Sequence, residues 1–439
     1  MYINAAPLAA TLHALQAEQH SFSLYLEEMH RRIELVDPHI EAFLPESGRL
    51  SRWRAEAAVL RERFPTGTAR PPLYGALVGV KDIYHVNGFV TRAGSEVPPE
   101  LFAGPEAVCV TRLREAGALL AGKTVTTEFA FAEPGPTRNP HNPDHTPGGS
   151  SSGSVAAVAA GLCSLALGTQ TIGSVIRPAA YCGIVGFKPS LGRIPPEGLV
   201  FFSRTIDHVG LFTQDVAGMQ TAAAVLCDDW RLVEGNGSNG SLPVLGVPDG
   251  PYLNQTESAA LEAFEAHLLM LQVAGCEVRR IEMFPDIDEW NVLHRQLVFA
   301  EFAREHAAFF EEQRHLYRPR TVQAVLDGQA VSDAELVDLR QRVDETRAAV
   351  ETVMAEQGID VWVCPPAVGP APQGLDSTGE PAMNLPWTHM GLPAITIPMG
   401  KADNGLPLGL QIVARFGQDE ALLQWAAQLE PLTTEPGAE

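Results

Sequence analysis

Long apolar runs are missing from this sequence. No stretch of about 18 uninterrupted apolar residues occurs in its 439 residues, so a membrane-spanning helix is not expected. The most apolar segment, VAAVAAGLCSLALG (155–168), is broken at Gly161 and reads as a buried helix running into a strand. The first twenty residues, MYINAAPLAATLHALQAEQH, lack a basic stretch, and His13, Gln16 and Glu18 interrupt their apolar residues. A secretory signal is therefore not expected. Basic residues are scarce too: 31 Lys and Arg stand against 53 Asp and Glu, giving a net charge of −22, and they form no cluster. Such a surface repels nucleic acid and anionic membrane, so neither is expected as a partner. The six cysteines (Cys109, Cys163, Cys182, Cys227, Cys276 and Cys364) lie far apart with no C-x-x-C pair, most of them in apolar settings. They read as small buried hydrophobes in a reducing, cytoplasmic protein.

What is present is a well-cored, turn-rich composition: 45% hydrophobic and 19% charged residues, with 39 Gly and 34 Pro. This excludes a disordered chain. Residues 4–66 carry helical spacing in LEEMHRRIELV and SRWRAEAAVLRERF. After the break PTGTARPPLYG, the run ALVGVKD begins a strand, and short apolar runs alternate with helical segments to about residue 235. The turn GNGSNGSLP (235–243) precedes a new strand at VLGVPD. Residues 256–355 read as mainly helical, and strand character returns in DVWVCPP, PAITIPMG and LGLQIVAR. One domain over 1–439 is expected, with a helical segment to residue 70, an α/β core over 71–235, a helical insert over 236–355 and closing strands over 356–439.

Two motif matches compete for the chemistry. GALLAGKT (117–124) satisfies the P-loop expression G-x-x-x-x-G-K-[ST]. A true P-loop follows a strand and opens a helix at its Lys. Here AVCVTRLREAG reads as a helix ending at Gly117, and ALLA as a strand, which argues against nucleotide binding. Gly149-Ser150-Ser151-Ser152-Gly153 matches the G-x-S-x-G nucleophile elbow. An elbow follows a strand, but the proline-rich PTRNPHNPDHTP before it cannot be a central one. On this segment alone, a capped helix start and an anion-binding loop fit equally well. A second Gly/Ser/Thr loop, GTQTIGS (168–174), lies between apolar segments, where successive backbone N–H groups can converge to form an oxyanion hole with Ser174 at its mouth. A serine nucleophile needs a base. The histidines, His85, His141, His145, His208 and His389 among them, show no distinctive setting, and none is read as a base or a metal ligand. Lys81 ends the strand ALVGVK. Burial there favours a neutral amine able to accept a proton, while a salt bridge with the adjacent Asp82 fits the sequence equally well.

These residues carry a resemblance. GVKD, followed by PGGSSSGSVAAVAAG and LGTQTIGSVIRPAAYCGIVGFKPS, is similar to the amidase signature family, and NLPWTHMGLPAITIPMG with GLPLGLQIVAR resembles its C-terminal region. The likeness covers roughly residues 70–230 and 360–425. It implies an α/β fold, one large domain with a mixed central β-sheet covered by helices on both faces. It also implies a serine amidohydrolase that cleaves a carboxylic amide through an acyl-enzyme, with no cofactor and no metal. By position, Lys81 matches the general base, Ser150 the bridging serine that follows a cis peptide bond, and Ser174, 24 residues on, the nucleophile. The backbone N–H groups of Thr171, Ile172, Gly173 and Ser174 match the oxyanion hole.

The sequence departs from the family at three points. Gln170 stands where Asp is common. Ile172-Gly173 replaces Gly-Gly, and a β-branched residue disfavours positive φ. Ile176 replaces an arginine, with Arg177 one place later. A small-molecule amide is the expected partner, with specificity in the helical insert and in loops near residue 130, and a homodimer is compatible with the chain. Trp290, Phe299 and Phe302 fit either an apolar acyl site or the core. The alternatives are the A subunit of a glutamine-dependent tRNA amidotransferase, against which the acidic charge and the TQTIGSVIRP variant argue, and a catalytically silent binding protein on the same fold.

Overall fold

Most strands in this chain are buried on both faces, and the ten among the described residues join in a single mixed sheet. The computed structural model describes residues 2–19, 21–65, 68–231 and 242–433. In chain order the strands are β1 (Leu77–Lys81), β2 (Leu119–Thr124), β3 (Leu165–Gln170), β4 (Val185–Lys188) and β5 (His208–Thr213). They continue with β6 (Leu245–Asp249), β7 (Val278–Glu282), β8 (Val361–Cys364), β9 (Ala394–Lys401) and β10 (Pro407–Val413). Their spatial order is β2-β1-β3-β5-β4-β9-β10-β8-β6-β7. The β2-β1-β3 and β8-β6-β7 ends are parallel, and the centre from β3 to β8 is antiparallel. Parallel strands need helical crossovers. The helices Val108–Glu115, Ser152–Ala159 and Ser258–Val273 stand between such strands in the chain.

The first sixty residues fold as three helices, Leu8–Gln16, Phe22–Ile40 and Arg49–Arg63, and the Trp53 indole N–H of the third donates to the Leu120 carbonyl at 2.7 Å. The helix Ser152–Ala159 is buried along its whole length and built from Ser, Gly, Ala and Val, which lets it lie close on β1, β2 and β3. A Cβ at Gly153 would stand 2.2 Å from the Ala42 carbonyl oxygen and 2.3 Å from the Val125 nitrogen, so only glycine fits. The section 256–355 contains the long helices Ser258–Val273, Ile287–Glu305, Pro319–Gln329 and Asp333–Glu356. It is less purely helical than its sequence suggests. VRRIE forms β7, a half-exposed edge strand beside β6, because its polar residues suit a strand with only one neighbour. The turn expected over 235–243 lies, up to residue 241, outside the described residues. No helix among the described residues is long and apolar enough to cross a membrane. All six cysteines are buried and unpaired.

Candidate active site

The end of β1 sends two neighbouring charges to different partners. Asp82 forms a buried ion pair with Lys123 of β2 at 2.9 Å, and the Lys123 ammonium also donates to the Tyr84 carbonyl and the Thr91 hydroxyl. This places the lysine of the P-loop expression inside a strand, after the helix Val108–Glu115 and away from any phosphate-wrapping loop. Lys81 makes no ion pair with Asp82. Its Nζ lies 2.7 Å from Ser150 Oγ and 2.8 Å from Thr169 Oγ1, with no solvent exposure. Burial pulls its pKa from 10.5 down to about 7, against a smaller opposing pull from the Asp207 carboxylate.

Three consecutive serines divide three tasks at the start of the helix Ser152–Ala159. The Gly149–Ser150 peptide bond is cis, and Ser150 looks into a cavity with Lys81 behind it. Ser151 Oγ turns inward to the Thr169 backbone at 3.3 Å, and Ser152 Oγ donates back to the Gly148 carbonyl at 2.9 Å. Ser151, the centre of the elbow expression, is fully buried and does not line the cavity. No strand runs directly into it, since β2 ends at Thr124 and a long loop intervenes.

The second loop joins β3 to the short helix Ile176–Tyr181. Thr171, Ile172, Gly173 and Ser174 all line the same cavity as Ser150, a space of about 240 Å³. Among the described residues, no acceptor takes the N–H of Ile172, Gly173 or Ser174. The sequence departures find physical accounts here. Gln170 Oε1 accepts from the Val175 and Ile176 N–H groups at 2.8 and 3.0 Å, so the amide ties down the start of the helix that follows the loop. Ile172 does not adopt a left-handed conformation, so its β-branch meets no backbone penalty. Gly173 is required for space, since a Cβ there would stand 2.4 Å from Asn384 Oδ1. Arg177 is 3% exposed and lines the cavity. Its Nη2 donates to the Gly149 carbonyl at 2.7 Å and to Thr378 Oγ1 at 3.2 Å, while Nε and Nη1 have no partner.

The remaining wall comes from distant segments. Ala130, Phe131 and Ala132 supply one side, as expected of the loop near residue 130, and Phe299, Arg295 and Arg320 come from the helical insert. Of the three aromatics weighed from the sequence, only Phe299 lines the cavity. Phe302 stacks on Phe202 in the core, and Trp290 packs on Phe284 and His389. Sequence reasoning missed the loop Ser377–Pro381, which covers the cavity, and Asp207. Asp207 accepts from Thr171 Oγ1 at 2.5 Å and from the N–H groups of Phe202 and Ser203, and burial raises its pKa to about 6. Neither carries a motif that one sequence can display. Among the described residues no histidine lines the cavity. His141 and His145 stand at H-x-x-x-H spacing, but on a loop, where that spacing does not put two imidazoles on one face. Among the described residues no group of three or more His, Cys, Asp or Glu side chains is gathered so as to hold a metal ion.

Residues 25–423 match the family model described as Amidase. The glutamyl-tRNA(Gln) amidotransferase A subunit of Koribacter versatilis (strain Ellin345) is 30% identical over 98% of this chain and 99% of its own length. Among solved structures, one described as an amidase superposes with a TM-score of 0.87 at 32% identity, covering 98% of this chain and 100% of that one. The 6-aminohexanoate cyclic dimer hydrolase, solved with its substrate, gives 0.84 at 25% identity, covering 98% and 97%.

Proposed function

The chain belongs to the amidase family, and on that premise we propose that it is a serine amidohydrolase releasing ammonia or an amine from a carboxylic amide. The observation that carries this reading is the buried Lys81 Nζ, 2.7 Å from Ser150 Oγ, at a cavity that Ser150 shares with Ser174. In the proposed reaction Ser174 Oγ attacks the amide carbon, its proton passes to Ser150, and the Ser150 proton passes to neutral Lys81. The carbonyl oxygen becomes an oxyanion that accepts from the N–H groups of Thr171, Ile172, Gly173 and Ser174. Collapse breaks the C–N bond, and the same relay returns a proton to the departing nitrogen. Water then attacks the acyl-Ser174 ester under the same base, freeing the acid and the serine.

Arg177 supports a narrower substrate class. Glu380 acts on the buried Arg177 guanidinium through space, but two of its nitrogens have no hydrogen-bond partner, which is costly until an anion bonds them. It lines the cavity beside Ser174, so a carboxylate on the substrate would complete its hydrogen bonds. Half-amides of short dicarboxylic acids satisfy both groups at once. The second reading is the glutamine-hydrolysing component of an amidotransferase, which the name of the Koribacter versatilis relative favours. Glutamine is also an amide carrying a carboxylate.

One set of assays tests both readings. A fluorophosphonate adduct is expected on Ser174 and absent from Ser174→Ala. Ammonia release from a half-amide is expected to fall by at least about 10³-fold in Lys81→Ala. Arg177→Leu is expected to raise KM for that half-amide roughly 10- to 100-fold, while an uncharged amide loses mainly kcat, since the hydrogen bond from Arg177 to the Gly149 carbonyl beside Ser150 is lost with either substrate. Labelling that persists in Ser174→Ala overturns the assignment. Turnover of glutamine alone, stimulated by a second protein component, selects the amidotransferase.

A further inference from the structure

A peptide group whose N–H must face a developing oxyanion needs its carbonyl held on the other side. The C=O and N–H of a trans peptide point in opposite directions, so fixing one fixes the other. In the cavity loop that peptide is Ile172–Gly173. The Ile172 carbonyl accepts from Thr388 Oγ1 at 2.6 Å, on the side away from the cavity, since Thr388 is fully buried and does not line it. The opposite edge, the Gly173 N–H, meets no protein acceptor among the described residues.

The direction of every hydrogen bond in this arrangement follows from Gln170. Its Oε1 accepts from two backbone N–H groups, Val175 and Ile176, which fixes the amide so that Nε2 faces Thr388. Nε2 donates to Thr388 Oγ1 at 2.8 Å. Having accepted there, the threonine hydroxyl is left with its own proton to donate. The Ile172 carbonyl at 2.6 Å is the nearer of its two acceptors, the Asn384 carbonyl within the same helical turn lying at 2.9 Å. An aspartate at position 170 would offer no N–H and would compete for that proton.

Gly173 explains why a clamp is needed. Asn384 and Pro381 crowd the site so that only glycine fits, yet glycine is the residue that accepts either sign of φ at little cost. Rotating the Ile172–Gly173 peptide would turn a carbonyl into the cavity and remove a donor from it. We infer that Gln170 and Thr388 are positioning residues, a side-chain relay that holds the Ile172–Gly173 peptide with its N–H facing the cavity and so keeps the oxyanion hole formed. This rests on the amidohydrolase reading above, and it assigns a task to two residues that touch no substrate.

The test compares Thr388→Val with Thr388→Ser and wild type on ammonia release from a half-amide and on the rate of fluorophosphonate labelling. Thr388→Val removes the hydroxyl at constant shape, and its kcat is expected to fall on the order of 10²-fold, with KM within about threefold. The labelling rate is expected to fall with kcat, because phosphonylation also places an anionic oxygen in the hole. Thr388→Ser is expected to recover kcat to within about fivefold, and the crystal structure of Thr388→Val to show the Ile172 carbonyl turned toward the cavity. If Thr388→Val folds with the wild-type melting temperature and keeps both kcat and labelling rate, the positioning role is refuted while the hydrolase reading stands. If Thr388→Val is too unstable to assay, Gln170→Glu carries the test through the same two rates, and unchanged rates there refute the relay. If wild-type Ser174 takes no label and no amide is turned over, both proposals fall together.

Discussion

The sharpest test of the proposed chemistry is its pH dependence, because burial of Lys81 sets the sign of the expected limb and puts it near neutral pH. Lys81 is fully buried, and the loss of hydration lowers its pKa from 10.5 to about 7. The shift corresponds to roughly 5 kcal/mol against the ammonium. At pH 7 about half of the molecules would hold a neutral amine, where an ordinary lysine would supply about one in 3000. As the base of the relay, Lys81 must be neutral. Therefore kcat/KM is expected to rise with unit slope as pH climbs from 5.5, to pass its midpoint near 7 and to reach a plateau above 8. Asp207 provides the control. Its carboxylate favours the Lys81 ammonium, so Asp207→Asn is expected to move the limb to lower pH. The same burial makes a prediction for stability. An unfolded lysine keeps its proton up to about pH 10, so between about 7 and 10 the unfolded chain binds the extra proton. Wild type is then expected to gain stability relative to Lys81→Met as pH rises through that window, read from urea midpoints. A kcat/KM profile flat from pH 5.5 to 9, or a limb that moves upward in Asp207→Asn, would refute the base role.

Two further substitutions probe the loop. Gly173→Ala would bring a Cβ to 2.4 Å from Asn384 Oδ1, and the Asn384 amide is held by the Pro366 carbonyl and Gln411 Oε1, each at 2.9 Å. Overpacking of this kind costs about 1–3 kcal/mol, measurable in urea, and the loop displacement is expected to lower kcat on the order of 10²-fold; wild-type stability and turnover would contradict the close approach. Ile172→Gly, by contrast, should keep kcat/KM for a half-amide within about tenfold, since Ile172 needs no left-handed backbone, and should admit a bulkier acyl group into the cavity. A loss beyond about 10²-fold would mean that the isoleucine side chain itself braces the loop.

How far the site could be read in the sequence depended on whether its parts were local. The loops around Ser150 and Ser174 were legible because each is a short run of small residues ahead of a helix, and short runs leave a pattern. The roof of the cavity was not. Ser377–Pro381 and Thr388 reach the loop at 171–174 because the sheet order puts β9 beside β4, bringing segments some two hundred residues apart into contact. Nothing in a single sequence encodes that adjacency. Asp207 is another case: an unremarked acid in RTIDHVG becomes a buried carboxylate bonded to Thr171 only once β5 pairs with β3. In the helical insert, Phe299 and Phe302 share one helix, and the sequence offered both for the cavity or the core. Residues three apart share a helix face, and both rings pack on Phe202, but only Phe299 reaches the cavity wall.

The two lysines beside Asp82 show where the physics, rather than the pattern, decides. Lys81 and Lys123 end neighbouring parallel strands, and both are buried. On the sequence, Lys81 could have paired with Asp82 and Lys123 could have bound phosphate. In the fold, Lys123 takes the carboxylate, and its pKa is lowered by burial but supported by that partner. That leaves Lys81 in the interior with two hydroxyls as its side-chain hydrogen-bond partners among the described residues. An ammonium whose hydrogen-bond partners are hydroxyls, with only a smaller pull from the Asp207 carboxylate to oppose its burial, is poorly compensated, which is why its pKa drops to about 7. The ion pair at Lys123 thus does more than fill the space beneath the sheet. By occupying Asp82 it withholds from Lys81 an adjacent counter-charge that would lock it in the protonated form, and leaves the base only the smaller pull of Asp207. Lys123→Met should therefore release Asp82 and, where Asp82 then reaches Lys81, move the kcat/KM limb upward from 7. A limb that stays in place, with Asp82 still turned away in the crystal structure, would mean that the strand geometry alone keeps the two apart.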